Sequence, residues 1–136
     1  MADTITKTKV LASAIGRRKS AIASVYLIAG KGDITVNDRP VSAYFPGKQA
    51  QVEYEAPFKL LELHKYSATV KVHGGGNSGQ LDAMILGLAR ALSSLKADYQ
   101  VSMHKAELLT RDPRERQRRK VGMGGKSRRK KQSPKR

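Results

Sequence analysis

Hydrophobic and polar positions alternate along several stretches of the chain and follow a helical period in another. Residues 21–28 set Ala21, Ala23, Val25 and Leu27 on one side and Ile22, Ser24, Tyr26 and Ile28 on the other, the period of a strand. Gly30, Lys31, Gly32 and Asp33 supply turn chemistry before a second alternation over 34–37, so the two runs predict a hairpin closed by a glycine-containing loop. Asn37, Asp38, Arg39 and Pro40 end it. Residues 67–73 alternate again, with Ala68, Val70 and Val72 inward and Thr69, Lys71 and His73 outward, which predicts a half-buried strand in a sheet with one open side.

Between these strands the composition is helical but interrupted. Pro46-Gly47 and Pro57 divide it into a helical turn at 42–45, a helix over 48–54 and a third helix beginning at Pro57, a residue tolerated at a first helical position. Phe45, Val52, Phe58, Leu60, Leu61 and Leu63 are the expected core residues here. The strongest helix runs from Gly79 to about residue 96 with Ser78 as expected N-cap. Leu81, Met84, Ile85, Leu88, Leu92 and Leu95 form its apolar stripe, and Ala83, Gly87 and Ala91 make a second row small enough to admit a close neighbour. A last helix over 98–108 would turn Val101, His104 and Leu108 to one side. Residues 1–15 have no clear period and read as a flexible lead-in, residues 16–110 as one α+β domain of two layers, sheet and helices, and residues 111–136 as a basic tail.

Charge changes this picture most at the C-terminus. Of the 136 residues, the last 26 carry 13 of the 27 Lys and Arg and two of the 11 acids, a net +11 out of a total +16. With only Val121 and Met123 as sizeable apolar side chains, such a segment does not bury enough surface to offset the entropy of ordering it alone. Its charge density suits a phosphate backbone, where each cation releases condensed counterions. Arg111, Arg114, Arg116, Arg118, Arg119, Lys120, Lys126, Arg128, Arg129, Lys130 and Lys131 are therefore candidate RNA contacts, together with the cluster Arg17, Arg18, Lys19 that precedes the first strand.

Other chemistries find little support. The absence of cysteine removes disulfides, thiolate zinc sites and a thiol nucleophile, and His64, His73 and His104 lack ligand spacing. No apolar run approaches the roughly 20 residues of a membrane span, and the N-terminus lacks a signal-peptide core, so a cytosolic protein is expected. Gly74-Gly75-Gly76-Asn77-Ser78-Gly79 satisfies G-x-G-x-x-G, with Asp98 about 20 residues on, as a dinucleotide site would require. That reading fails because no further parallel strands follow the helix and the preceding strand is not apolar on both faces. Gly125-Lys126-Ser127 has Walker letters without the upstream strand and glycine spacing. Backbone N–H groups at Gly74, Gly75, Gly76 and Ser78 remain candidates to hold an RNA phosphate at a helix start. The acids are scattered and no acid, base and nucleophile converge, so neither an enzyme nor a cofactor is expected. A free nucleoid protein or RNA chaperone would share the tail.

Taken in order, Gly16-Arg17-Arg18-Lys19-Ser20-Ala21, Gly74-Gly75-Gly76-Asn77-Ser78-Gly79-Gln80, Thr110-Arg111-Asp112, Lys120-Val121-Gly122 and the closing Lys135-Arg136 resemble the bacterial-type small ribosomal subunit protein nine. The resemblance covers residues 16–136. It implies an α+β domain with a left-handed β-α-β crossover and a long extended basic tail. The implied partners are small-subunit rRNA in the head, neighbouring head proteins and the peptidyl-site tRNA, with no membrane and no homo-oligomer. By position, Arg128, Arg129, Lys130 and Lys131 match the run that tracks rRNA, while Lys135 and Arg136 match the tRNA-facing pair. That family often closes on Gln, an aromatic, Ser, Lys and Arg, whereas this chain closes on Gln132-Ser133-Pro134-Lys135-Arg136 and carries an additional glycine at Gly124-Gly125.

Overall fold

The computed structural model describes residues 9–62 and 64–124. Five strands, β1 (Val10–Arg18), β2 (Ala21–Ala29), β3 (Ile34–Val36), β4 (Arg39–Pro40) and β5 (Tyr66–His73), form one mixed sheet in the order β1-β2-β5-β3-β4. Four helices, α1 (Val41–Tyr44), α2 (Lys48–Leu60), α3 (Asn77–Ser93) and α4 (Ala97–Lys105), complete the α+β domain. One face of the sheet carries α3, and α2 and α4 pack on α3 in turn. Among the described residues no helix packs on the other face.

The first strand begins inside the stretch that showed no period. β1 pairs antiparallel with β2 through a tight turn at Lys19, whose φ of 53° is left-handed. Its inward positions are Ala12, Ala14 and Gly16, opposite Leu27, Val25 and Ala23. Such small residues give almost no hydrophobic contrast, which hides the alternation. They are small because α3 lies directly against them: a Cβ on Gly16 would overlap the Ala83 carbonyl and the Gly87 amide, and a Cβ on Gly87 would stand 2.7 Å from Val25 Cγ2. The row Ala83, Gly87 and Ala91 thus does what its size implied, and the strand it admits is β1.

The hairpin expected between 21–28 and 34–37 does not form. β2 lies between β1 and β5, and β3 pairs with β5 in parallel, Ile34 opposite Ala68 and Val36 opposite Val70. A longer antiparallel partner wins because eight residues of β5 match β2 in register, whereas β3 offers three. Asn37 then extends the parallel pairing with its side chain, its Oδ1 accepting from Val72 N at 2.9 Å and its Nδ2 donating to Val72 O at 3.0 Å.

Pro57 does not start a new helix. α2 runs unbroken from Lys48 to Leu60 and turns Tyr54, Pro57 and Phe58 inward at i, i+3 and i+4. The proline ring forgoes one helical hydrogen bond, and its burial among these residues offsets that loss. This register leaves Val52 and Leu60 exposed, at 61% and 43%, where the two-helix reading had placed them in the core. Phe45 and Phe58 are buried and Leu61 is half-buried, while Leu63 lies outside the described residues.

The stripe on α3 holds for Leu81, Met84, Leu88 and Leu92, all buried, with Ile85 and Leu95 packed at its margin. Ser78 does not cap the helix, which starts two residues earlier than expected with Gly76 as N-cap and no side-chain capping bond. On α4 the buried residue is Met103, not the face of Val101, His104 and Leu108; Val101 is 54% exposed and His104 is exposed. α4 is only nine residues long and meets its neighbours through a single inward turn, so a full stripe has nothing to pack against.

Candidate nucleic-acid interface

Three motifs far apart in sequence meet at one end of the sheet. The first is the β1–β2 turn, which carries Arg17 and Lys19 exposed to solvent. The second is the glycine loop after β5. Gly74 and Gly75 have φ of 77° and 62°, a left-handed pair that reverses the chain into α3. The turn and the loop touch: a Cβ on Gly74 would stand 2.5 Å from Ser20 O, and one on Gly75 would stand 3.2 Å from both Ala21 N and Ala21 Cβ. Glycine is required here by the backbone angle and by this close approach together.

A relay of side chains braces the loop. Tyr44 Oη donates to Gln80 Oε1 at 2.8 Å, and Gln80 Nε2 donates to Gly74 O at 3.0 Å. Gln80 belongs to the glycine motif, but Tyr44 has no sequence signal, because only the fold brings α1 beside the start of α3. With no side-chain cap on α3, the first-turn N–H groups after Gly76 point outward without intrahelical acceptors. Ser78 is exposed in that turn. Such a turn is polarised to receive an anion.

The third motif is the root of the basic segment. Arg18 reaches across from the β1–β2 turn, its Nη1 donating to Arg114 O at 2.7 Å and to Asp112 O at 3.4 Å. Its guanidinium also lies 3.3 Å from Asp112 Oδ1 and 3.6 Å from Asp82 Oδ2 on α3, and its side chain is only 13% exposed. Arg18 therefore ties strand, helix and tail root together, in contrast to its exposed neighbours Arg17 and Lys19.

Asp112 is a second node. It accepts from Arg114 N at 3.0 Å, from Arg114 Nε at 3.0 Å and from Arg114 Nη2 at 2.7 Å. Hydrogen bonds from the Arg114 side chain and backbone, with Arg18 nearby, hold its carboxyl well below the usual carboxylate range. Arg111 donates to the Asp112 carbonyl at 2.8 Å and is half-buried. Asp82 escapes sequence reasoning because it reads as one more scattered acid; Asp112 stands in the Thr110-Arg111-Asp112 motif, but nothing in the sequence signals its bonds to Arg114 and Arg18. A shallow cavity of about 230 Å³ beside this node is lined in part by Arg17, Arg18, Asp82, Glu107 and Asp112, and its acids disfavour a phosphate there.

Beyond the node, Arg116, Arg118, Arg119 and Lys120 are exposed and lie in a segment without regular structure. Lys126, Arg128, Arg129, Lys130, Lys131, Lys135 and Arg136 lie outside the described residues. Among the described residues no group of three or more His, Asp or Glu is placed to hold a metal ion, and no helix is long and apolar enough to cross a membrane.

A basic turn, a glycine loop and the root of a basic segment are thus brought to one end of the domain, where their exposed cations gather. The family model described as Ribosomal protein S9/S16 matches residues 16–136. The chain belongs to this family. Membership in the Ribosomal protein S9/S16 family gives it a structural role in the ribosome, in the company of ribosomal RNA and other ribosomal proteins.

Proposed function

We propose that this chain binds small-subunit rRNA in the head through the end of the domain where the three motifs meet, and that its tail reaches the peptidyl-site tRNA. The observation that carries the reading is the convergence itself: Lys19 and Arg17 on the turn, Gly74 to Gly76 before the uncapped α3, and Arg111 to Lys120 rooted at Arg18. Phosphates would be met by the exposed cations and by the first-turn amides of α3 near Ser78. Arg18 serves from within, by fixing where the basic segment leaves the domain.

From that root the tail has the reach its role demands. Twenty-six residues fully extended span roughly 85 Å at about 3.3 Å each, against roughly 28 Å for a flexible coil. Contacts of Lys126 and Arg128 to Lys131 with rRNA would favour the long form, leaving Lys135 and Arg136 to meet a tRNA anticodon stem-loop. The parallel connection from β3 to β5 through α1 and α2 is where the left-handed crossover of the family would lie. The working location is the ribosome, on the cytoplasmic side of the cell, beside other head proteins.

A photoreactive residue at position 136, in ribosomes loaded with tRNA, tests the reading. Crosslinks to the anticodon stem-loop are expected. Crosslinks to rRNA alone would overturn the tRNA contact and leave the chain a head scaffold.

A further inference from the structure

The open face of the sheet is not an ordinary polar surface. Along β1, β2 and β5 the outward positions pair in rows: Arg17 with Ile22 and His73, Ile15 with Ser24 and Lys71, Ser13 with Tyr26 and Thr69. At the far end a register irregularity between Val10 and Ala12 sets Val10 and Leu11 beside Ile28. Val10, Leu11, Ile15 and Tyr26 are 48%, 40%, 49% and 38% exposed, so four of the large apolar side chains left in solvent share this one face. Single exposed apolar residues are ordinary, whereas a contiguous group marks an interaction surface.

The face is also polarised. Arg17, Lys71 and His73 stand exposed at the end near the β1–β2 turn, and no outward position of β1, β2, β3 or β5 is an acid. Of the two exposed carboxylates that flank β3, Asp33 lies beside Ser67 at the opposite end, and Asp38 lies in the β3–β4 turn at the sheet's edge.

We propose that this face docks a second ribosomal protein, through a segment that is aliphatic where it covers Val10, Leu11, Ile15 and Tyr26 and carries carboxylates where it meets Lys71 and His73, two polar residues of the face to which no RNA contact is assigned. RNA fits the aliphatic part of the patch poorly, because bases stack on aromatic rings and guanidinium planes and Val10, Leu11 and Ile15 offer neither; Tyr26 is the one ring among them, and Arg17 and His73 stand at the other end. Another copy of this chain fits no better, since its own open face would bring the same two cations, Arg17 and Lys71, and no carboxylate to meet them. The proposal rests on the chain's place in the ribosome and on none of the RNA or tRNA contacts proposed above.

The test is a photoreactive residue at Ser13 of the full chain, assembled into small subunits. A crosslink to a neighbouring protein, on a peptide that joins aliphatic residues to Asp or Glu, is expected. A crosslink to RNA, to this chain's own residues, or to nothing while the position stays open to a solvent probe overturns the proposal. As a second measurement, Ile15→Lys changes a half-exposed side chain and leaves the core intact. Subunits carrying it should retain this chain and bind the crosslinked neighbour about tenfold more weakly, as loss of an interface anchor does; unchanged neighbour affinity would also overturn it.

Discussion

Replacing Arg18 with methionine keeps the length and bulk of the side chain along α3 and removes its charge and donors. The bond from Nη1 to Arg114 O, at 2.7 Å from a side chain only 13% exposed, is charge-assisted and worth about 1.5–3 kcal/mol. The pair with Asp82, at 3.6 Å and with that carboxylate 46% exposed, adds at most about 1 kcal/mol after screening. Asp112 keeps its own Arg114 partner and is not orphaned. Arg18→Met should therefore weaken docking of the tail root by about 2 kcal/mol, a roughly thirtyfold shift toward the undocked form. The rest of the domain, whose core does not include Arg18, should lose about 1 kcal/mol or less. Nitroxide labels at Val101 and Gln117, both exposed, report the outcome as a distance distribution. Wild type should give a narrow distribution and Arg18→Met a broad one, with urea midpoints close together. Equal widths in the two proteins would refute the latch. So would a loss of global stability as large as the local one.

Gly16→Ala should destabilise the fold by about 1–3 kcal/mol in urea unfolding, because its Cβ meets α3 backbone that does not move aside as a side chain would. Ser78→Ala should change stability by less than about 0.5 kcal/mol, since the hydroxyl caps nothing; a loss near 1 kcal/mol would show that it does. Asp112 has a depressed folded-state pKa, so its contribution is complete above its unfolded value near 3.8 and is lost as pH falls below it toward the folded value. A carboxyl NMR titration should place its midpoint below the ordinary carboxylate range, and Arg114→Ala should return it upward. Lys19→Ala should lower the dependence of log affinity for rRNA on log salt by about one unit, while a purely structural role would leave the slope unchanged.

How much of this was legible depended on where size and period carried information. β2, β5 and the stripe of α3 were readable because large apolar residues there recur at 2 or 3.6. β1 was hidden by the small inward residues that let α3 approach it. The false hairpin came from favourable loop chemistry at Gly30 to Asp33, which fixes a turn but not the partner that a strand finds after it. Pro57 reads as a helix start because propensity is local, whereas the packing of Tyr54, Pro57 and Phe58 that keeps α2 intact is tertiary. For the candidate interface, the motifs themselves were visible and their convergence was not. The basic cluster also read as three equal cations, although the pleat sends Arg17 to the open face and Arg18 toward α3.

That difference between adjacent arginines follows from how β1 packs on α3. Gly16 can lie against Ala83 and Gly87 only because none of the three has a bulky side chain, and this contact sets the height of β1 over α3. Two residues along the same face comes Arg18, brought within reach of Asp82, one residue before Ala83 on that helix. The packing that hides β1 from a hydrophobicity reading is thus the packing that delivers the guanidinium to the tail root. Widening the gap at Gly16 should therefore loosen the root as well as the core, and Gly16→Ala should broaden the distance between labels at Val101 and Gln117 even under conditions where the domain remains folded. A normal, narrow distance in that variant would mean that Arg18 finds Asp112 and Arg114 without help from the strand's placement, and the coupling between core packing and tail direction would have to be abandoned.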